Sequence, residues 1–245
     1  MSPAMTDREH STGRAFHQFL GFWTEERSLT FMLILLVINF FVLTPATFIG
    51  HAFIYISILL LSLALLAGLL TLTRRRAVRW LGTVLVAGGF LFKTAALFWD
   101  ASWLSICDSL FTFLALFALV SVVFLQVSRS GPVSAHRIRG AIALYLLIAM
   151  LFAFLYGLIE KLAPGAFTMP GGRSGAEVAH TDTFYYFSIV TLTTVGFGDI
   201  SPVHPFVRSL VMLEALIGQL YPAVLLARLV SLEIETRRSD NGSNR

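Results

Sequence analysis

Tyr185-Tyr186-Phe187-Ser188-Ile189-Val190-Thr191-Leu192-Thr193 runs directly into Thr194-Val195-Gly196-Phe197-Gly198-Asp199, and Ile200-Ser201-Pro202 closes the segment. Glycine enters φ > 0 without steric cost, whereas other L-residues resist it. Two glycines at alternate positions therefore permit a backbone whose successive carbonyls face one side. A column of such carbonyls can replace the water shell of a bare cation. The plainer reading is a glycine turn between two membrane helices, and the flanks weigh against it: a short aromatic helical run precedes the glycines and a long apolar one follows. A dinucleotide-binding loop would require a strand–helix–strand setting, and none surrounds this segment.

The rest of the chain decides what kind of protein carries this loop. Of its 245 residues 56% are hydrophobic and 13% charged. Soluble domains carry about 25% charged residues, so the composition is that of a membrane protein. A single cysteine, Cys107, lies inside an apolar run, which excludes a disulfide framework and a cysteine metal site and makes it a small packing residue. No cleavage pattern follows the first apolar run, so a removed signal peptide is not expected.

A spanning helix needs about 20 mostly apolar residues. Six stretches qualify, at 28–44, 49–72, 79–99, 102–127, 140–162 and 206–232. A seventh, 183–193, is about half as long and leads into the glycine loop, which predicts a re-entrant helix. Arg8, Arg14 and Arg27 precede the first span, Arg74, Arg75, Arg76 and Arg79 follow the second, Arg129, Arg137 and Arg139 follow the fourth, and Arg237 and Arg238 follow the last. The alternate loops carry no basic residue apart from Arg173. Positive charge stays inside, so both termini are expected in the cytoplasm and the glycine loop on the outer side of the cell membrane. Ala15–Trp23 mixes aromatic and polar residues and reads equally as an interfacial helix or a disordered tail.

The half-length helix, the Thr194–Asp199 loop and the long final span together resemble the pore unit of the potassium channel superfamily, over roughly the last two-fifths of the chain. The six-span layout is similar to that of small bacterial potassium channels. The resemblance implies an all-α membrane protein. Its parts are an N-terminal segment (1–27), a four-helix voltage-sensor-like unit (28–128), a linker (129–139), a pore domain (140–235) and a short cytoplasmic tail (236–245). It implies that carbonyls of Thr194, Val195, Gly196 and Phe197 coordinate K+, that the Thr194 hydroxyl adds the innermost ring, that Gly198 holds the mouth open and that Asp199 braces the loop from behind. One strand cannot enclose an ion, so a C4 homotetramer in lipid is the economical assembly. No cofactor beyond permeant K+ and no nucleic acid is implied.

Two positions depart from the commonest pattern. Phe197 replaces a tyrosine and removes a hydroxyl that ties the filter to its surroundings. Val190 stands where some bacterial channels place a glutamate partner for the filter aspartate, which leaves Tyr186 as the candidate partner of Asp199. On the last span Gly218, about 18 Å along the helix from residue 206, resembles the family's hinge glycine, and Pro222 removes a backbone donor one turn later. These are the candidate gating pair, with a static packing kink as the alternative. Gln219, Pro222, Ala223, Leu226 and Val230 share a helical face that could line the cavity. Glu214 is an intramembrane carboxylate, read first as a brace behind the filter and second as an ion site.

The fourth span, 102–127, contains no Lys or Arg. Moving one charge through 100 mV supplies about 2.3 kcal/mol, so steep voltage dependence is not expected. Lys93 and Asp108 lie at similar depths on either side of loop 100–101 and are expected to pair. His204, soon after the filter, is a candidate external proton sensor or an ordinary surface histidine. About ten polar residues follow the last span, too few for a cytoplasmic sensing domain, so the stimulus is expected to act in the membrane, at the filter or through another chain. The function expected is passive K+ permeation, with a weakly selective monovalent cation channel as the alternative. A transporter subunit would show four fused pore repeats where this chain has one, and no nucleophile–base set or metal spacing suggests an enzyme.

Overall fold

The computed structural model describes residues 30–46, 50–72, 76–99, 101–128, 135–169 and 181–243. The Ala15–Trp23 segment, His180, Arg173 and most of the 129–139 linker lie outside the described residues. The order of elements is α1 (Thr30–Ala46), α2 (His51–Leu72), α3 (Arg76–Phe98), α4 (Ser102–Val127), α5 (Ala135–Leu162), β1 (Phe167–Thr168), α6 (Thr181–Leu192), β2 (Ser201–Pro202) and α7 (Pro205–Ser243). The protein is almost wholly helical. Among the described residues, Ser102–Val127, Ile138–Leu162 and Pro205–Arg228 are long and apolar enough to cross a membrane.

α2, α3 and α4 pack on one another, and α4 then packs along α5 of the same chain. α4 thus sits beside its own chain's α5. One apolar cluster runs through the junction, with Met32 and Leu36 from α1, Leu69 from α2, Leu116 and Leu119 from α4, and Leu144 and Leu147 from α5. Asn39, in a π-helical turn of α1 (Asn39–Leu43), donates to Ser57 O at 3.1 Å and Ser57 Oγ at 3.0 Å, joining α1 to α2. Lys93 Nζ lies 3.2 Å from Asp108 Oδ2 across the α3–α4 hairpin, the pairing expected from their depths.

Two expected boundaries move furthest. α5 begins at Ala135, before residue 140. α7 continues past residue 232 to Ser243, so the 236–245 stretch read as a tail is helical almost to its end. The reason is visible in the sequence: neither glycine nor proline occurs between Pro222 and Gly242, so nothing breaks the helix where its apolar character ends.

β1 and β2 form a two-residue antiparallel pair, Phe167 opposite Pro202 and Thr168 opposite Ser201. It ties the segment after α5 to the segment after the glycine loop. Glu160, buried at the end of α5, fixes the approach: its carboxylate accepts from Gly165 N at 2.7 Å and Phe167 N at 3.2 Å. The Phe167 ring then meets Tyr156, Phe184 and Phe187 edge-on, with centroids 5.0–5.5 Å apart. These tilted contacts are the favoured geometry for packed rings, and they seat α6 against α5.

Candidate ion-conducting site

α6 is a twelve-residue helix, too short to span, that ends in the glycine loop. A helix terminus leaves its last four carbonyls without intrahelical partners. Here each has one. Ile189 O accepts from Thr193 N at 2.9 Å, and Thr191 O from Thr194 N at 2.9 Å. Val190 O accepts from Val195 N at 3.0 Å and Gly196 N at 3.3 Å. Leu192 O accepts from Tyr145 Oη of α5 at 3.2 Å. The first amides of the loop are thereby turned inward onto the helix end.

The loop backbone has φ of 59° at Thr194, 56° at Gly196 and 76° at Gly198, while Val195 and Phe197 stay outside the positive region. This alternation is the device by which an extended strand turns consecutive carbonyls to a common side. Gly196 and Gly198 adopt it freely. Thr194 does not, since a β-branched residue at positive φ is strained, and such strain persists only where surrounding contacts over-determine it. The Thr194 N–H bond to Thr191 O is one of those contacts. Residues 193–199 are all exposed in the single chain, so the loop forms an open wall.

Behind that wall, Tyr186 Oη donates to Asp199 Oδ2 at 2.8 Å, and Asp199 Oδ1 accepts from Ile200 N at 3.1 Å. The Tyr186 ring also stacks on Phe197, centroids 6.4 Å apart and 4° from parallel. The side chain without a hydroxyl is thus held by ring contact, and the hydroxyl comes from the α6 residue opposite. The helix begins at Thr181, one turn earlier than Tyr185, and the side chains of Thr181 and Asp182 lie outside the described residues.

Glu214 of α7 is fully buried. Its Oε2 accepts from Tyr156 Oη at 2.7 Å, and its Oε1 is hydrogen-bonded to Ser188 Oγ of α6, which also lies 2.7 Å from Ala149 O of α5. One carboxyl group therefore joins all three helices of the pore-bearing half. Gly218 is buried one turn further along α7, and a Cβ there would overlap the Leu192 carbonyl, with the Leu192 carbon 2.6 Å away. Its close approach to the end of α6 requires glycine whatever bending it permits. Tyr221 stacks on Tyr145 at 5.9 Å and donates to Ala141 O at 2.9 Å. Gln219, Pro222, Ala223, Leu226 and Val230 are exposed on α7, and the helix runs through Pro222 without a break.

The sequence reading missed Tyr145, Tyr156 and Ser188, each a polar residue inside an apolar run. It also missed Lys161, which donates to Ser109 Oγ at 2.6 Å and Ser105 O at 3.2 Å on α4. Arg228 was missed as well; it donates to Val127 O at 3.2 Å and Ser128 O at 3.3 Å at the other end of α4. The signal for both was a lone cation at the edge of an apolar run.

Residues 141–235 match the ion channel family. That stretch is similar to an ion channel domain. The chain is 38% identical over 99 residues to the inward rectifier potassium channel Kirbac3.1 of Paramagnetospirillum magnetotacticum, a match covering 39% of this chain and 28% of that one. It is 28% identical over 114 residues to protein LctB of Bacillus caldotenax, covering 46% of this chain and 84% of that one. With protein LctB of Geobacillus stearothermophilus it shares 34% identity over 80 residues, 32% of this chain and 59% of that one. No solved structure matches the chain. The ion channel domain thus coincides with α5 to α7, the elements that build the glycine loop, and the protein is a membrane protein.

Proposed function

We propose that this protein is a potassium-selective channel in the cell membrane, with the Thr194–Gly198 carbonyls replacing the hydration shell of K+ and Asp199, Tyr186 and Glu214 supporting them. The observation that carries this reading is the alternation of positive φ at Thr194, Gly196 and Gly198 on an amide-capped half-length helix. The negative end of that helix dipole favours a cation in front of it.

Assembly as a C4 homotetramer is supported by what a single chain leaves uncovered. Only 11% of the apolar part of α7 is buried, and Met212, Leu216, Leu220 and Val224 are all at least half exposed. Three further copies would cover this surface and close the filter, leaving Gln219, Ala223, Leu226 and Val230 toward a central cavity. The six-span topology, with both termini cytoplasmic, rests on hydropathy and on the placement of arginines. Gly218 and Pro222 are the gating pair in this reading, Gly218 through its contact with α6 as much as through flexibility.

The test is K+ flux into proteoliposomes reconstituted with the purified protein. The reading expects flux that Ba2+ blocks and that Na+ does not carry. A flux that K+ and Na+ carry equally would make the protein a weakly selective cation channel instead.

A further inference from the structure

The junction at Glu214 contains three hydrogen-bond contacts, and with an ionised carboxylate only two protons, those of Tyr156 and Ser188, to fill them. Ser188 has one hydroxyl proton. Its Oγ lies 2.7 Å from Ala149 O, a carbonyl that can only accept, so the proton belongs there. The same Oγ is hydrogen-bonded to Glu214 Oε1, and that bond then needs a proton from Glu214. Tyr156 Oη spends its own proton on Glu214 Oε2 at 2.7 Å. With Glu214 as a carboxylic acid, every contact is a hydrogen bond: Tyr156 to Glu214, Glu214 to Ser188, Ser188 to Ala149. With Glu214 ionised, either the Ser188–Ala149 or the Ser188–Glu214 contact becomes two acceptors face to face in a dry site. An unpaired buried charge is the costlier state.

Among the described residues, no cation is seen to act on the carboxyl. α5 faces the carboxyl with Tyr156 and, farther along, Tyr145. α6 offers Ser188. β2 carries only Ser201 and Pro202. Among the described residues of α5, Lys161 is turned to α4 and Glu160 to the turn at Gly165.

We propose that Glu214 is a proton-holding positioning residue: its neutral acid fastens α7 to α6 in the conducting arrangement, and loss of that proton uncouples the two and lowers K+ flux. The step is a simple proton release to solvent when the junction opens, with no other covalent bond made or broken. Because α6 ends at Leu192, two residues before Thr194, loosening Ser188 reaches the filter along a single helix turn. This rests on the potassium-channel reading of the site.

Glu214→Gln is the informative variant, since its amide can donate to Ser188 and accept from Tyr156, reproducing the neutral network without a titratable proton. In proteoliposomes, wild-type K+ flux should fall as pH is raised, by roughly fivefold, the weight of one buried hydrogen bond in the conducting equilibrium. E214Q should have a flat profile, and His204→Gln should keep the wild-type one. The infrared spectrum of the wild-type protein should contain a protonated-carboxyl C=O band that E214Q lacks.

A pH profile unchanged in E214Q, or no such band difference at neutral pH, overturns the proposal. A band without any pH dependence in wild-type flux overturns the coupling. Absence of K+ flux at every pH would instead sink the channel reading. The infrared band, together with an unfolding temperature that falls with pH in wild type and not in E214Q, would then still decide the state of Glu214.

Discussion

The two halves of this chain are joined by opposite means. In the pore-bearing half, α5, α6 and α7 meet through hydrogen bonds buried at their centre: Tyr145 to Leu192, Tyr156 to Glu214, Ser188 to Ala149. The first four helices hold together by apolar packing around Leu69, Leu116 and Leu119. They meet the pore half through the apolar junction at Leu144 and Leu147 and through two cations of that half, Lys161 at one end of α4 and Arg228 at the other. A buried network fixes one geometry, because each lost partner leaves an unsatisfied group. An edge cation on a helix end is a softer tie. The difference teaches where rigidity and where adjustment belong: the half that carries the glycine loop is pinned by directed bonds, and the frame is attached by non-directional packing and two edge cations.

Substitutions in the loop should break the rigid half most severely. Gly196→Ala or Gly198→Ala places a side chain at φ of 56° or 76°. Each forced left-handed residue costs about 1–2 kcal/mol, and in the proposed tetramer four copies act on one filter, so K+ flux in proteoliposomes should vanish. A variant that conducts normally would refute the carbonyl-column geometry.

Gly218→Ala ranks next, because its Cβ enters the Leu192 carbonyl directly behind the filter. If contact dominates, K+/Na+ discrimination should fall along with flux. If bending dominates, selectivity should survive and only opening should change. Reversal potentials separate the two.

Tyr186→Phe keeps the ring on Phe197 and deletes the bond to Asp199. One such hydrogen bond contributes about 1 kcal/mol, so conduction should decline severalfold faster at low K+ while selectivity holds. An unchanged time course would mean that Asp199 needs no partner from α6.

Arg228→Gln should have the smallest effect, releasing one end of α4. A helix-terminal charge contributes about 0.3–1 kcal/mol, so the unfolding temperature should drop by a few degrees with ion selectivity intact. Lost selectivity would place the frame inside the filter's support and erase the contrast between the halves.

The same contrast explains what could be read from the chain. The fourth span, 102–127, coincides with α4 because a continuous apolar run bounded by polar loops leaves no freedom in its ends. The Lys93–Asp108 pair was visible from depth on a hairpin. Alternating glycines announced the loop because they adopt positive φ without strain, and the absence of a glutamate at Val190 singled out Tyr186. By contrast, Tyr145, Tyr156 and Ser188 matter through partners 26 to 58 residues away, and helical periodicity says nothing about which face of one helix meets another. Gly218 was read for flexibility because a sequence cannot display the carbonyl that excludes its Cβ. The extension of α7 to Ser243 was missed because hydropathy marks where a helix leaves lipid, not where it ends.

The most direct trial of the potassium reading is the bi-ionic reversal potential of the purified protein in a planar bilayer, with K+ on one side and Na+ on the other. A reversal potential far toward the K+ equilibrium value, with conductance changing only shallowly with voltage, is expected. A reversal potential near zero would contradict the carbonyl filter at Thr194–Gly198.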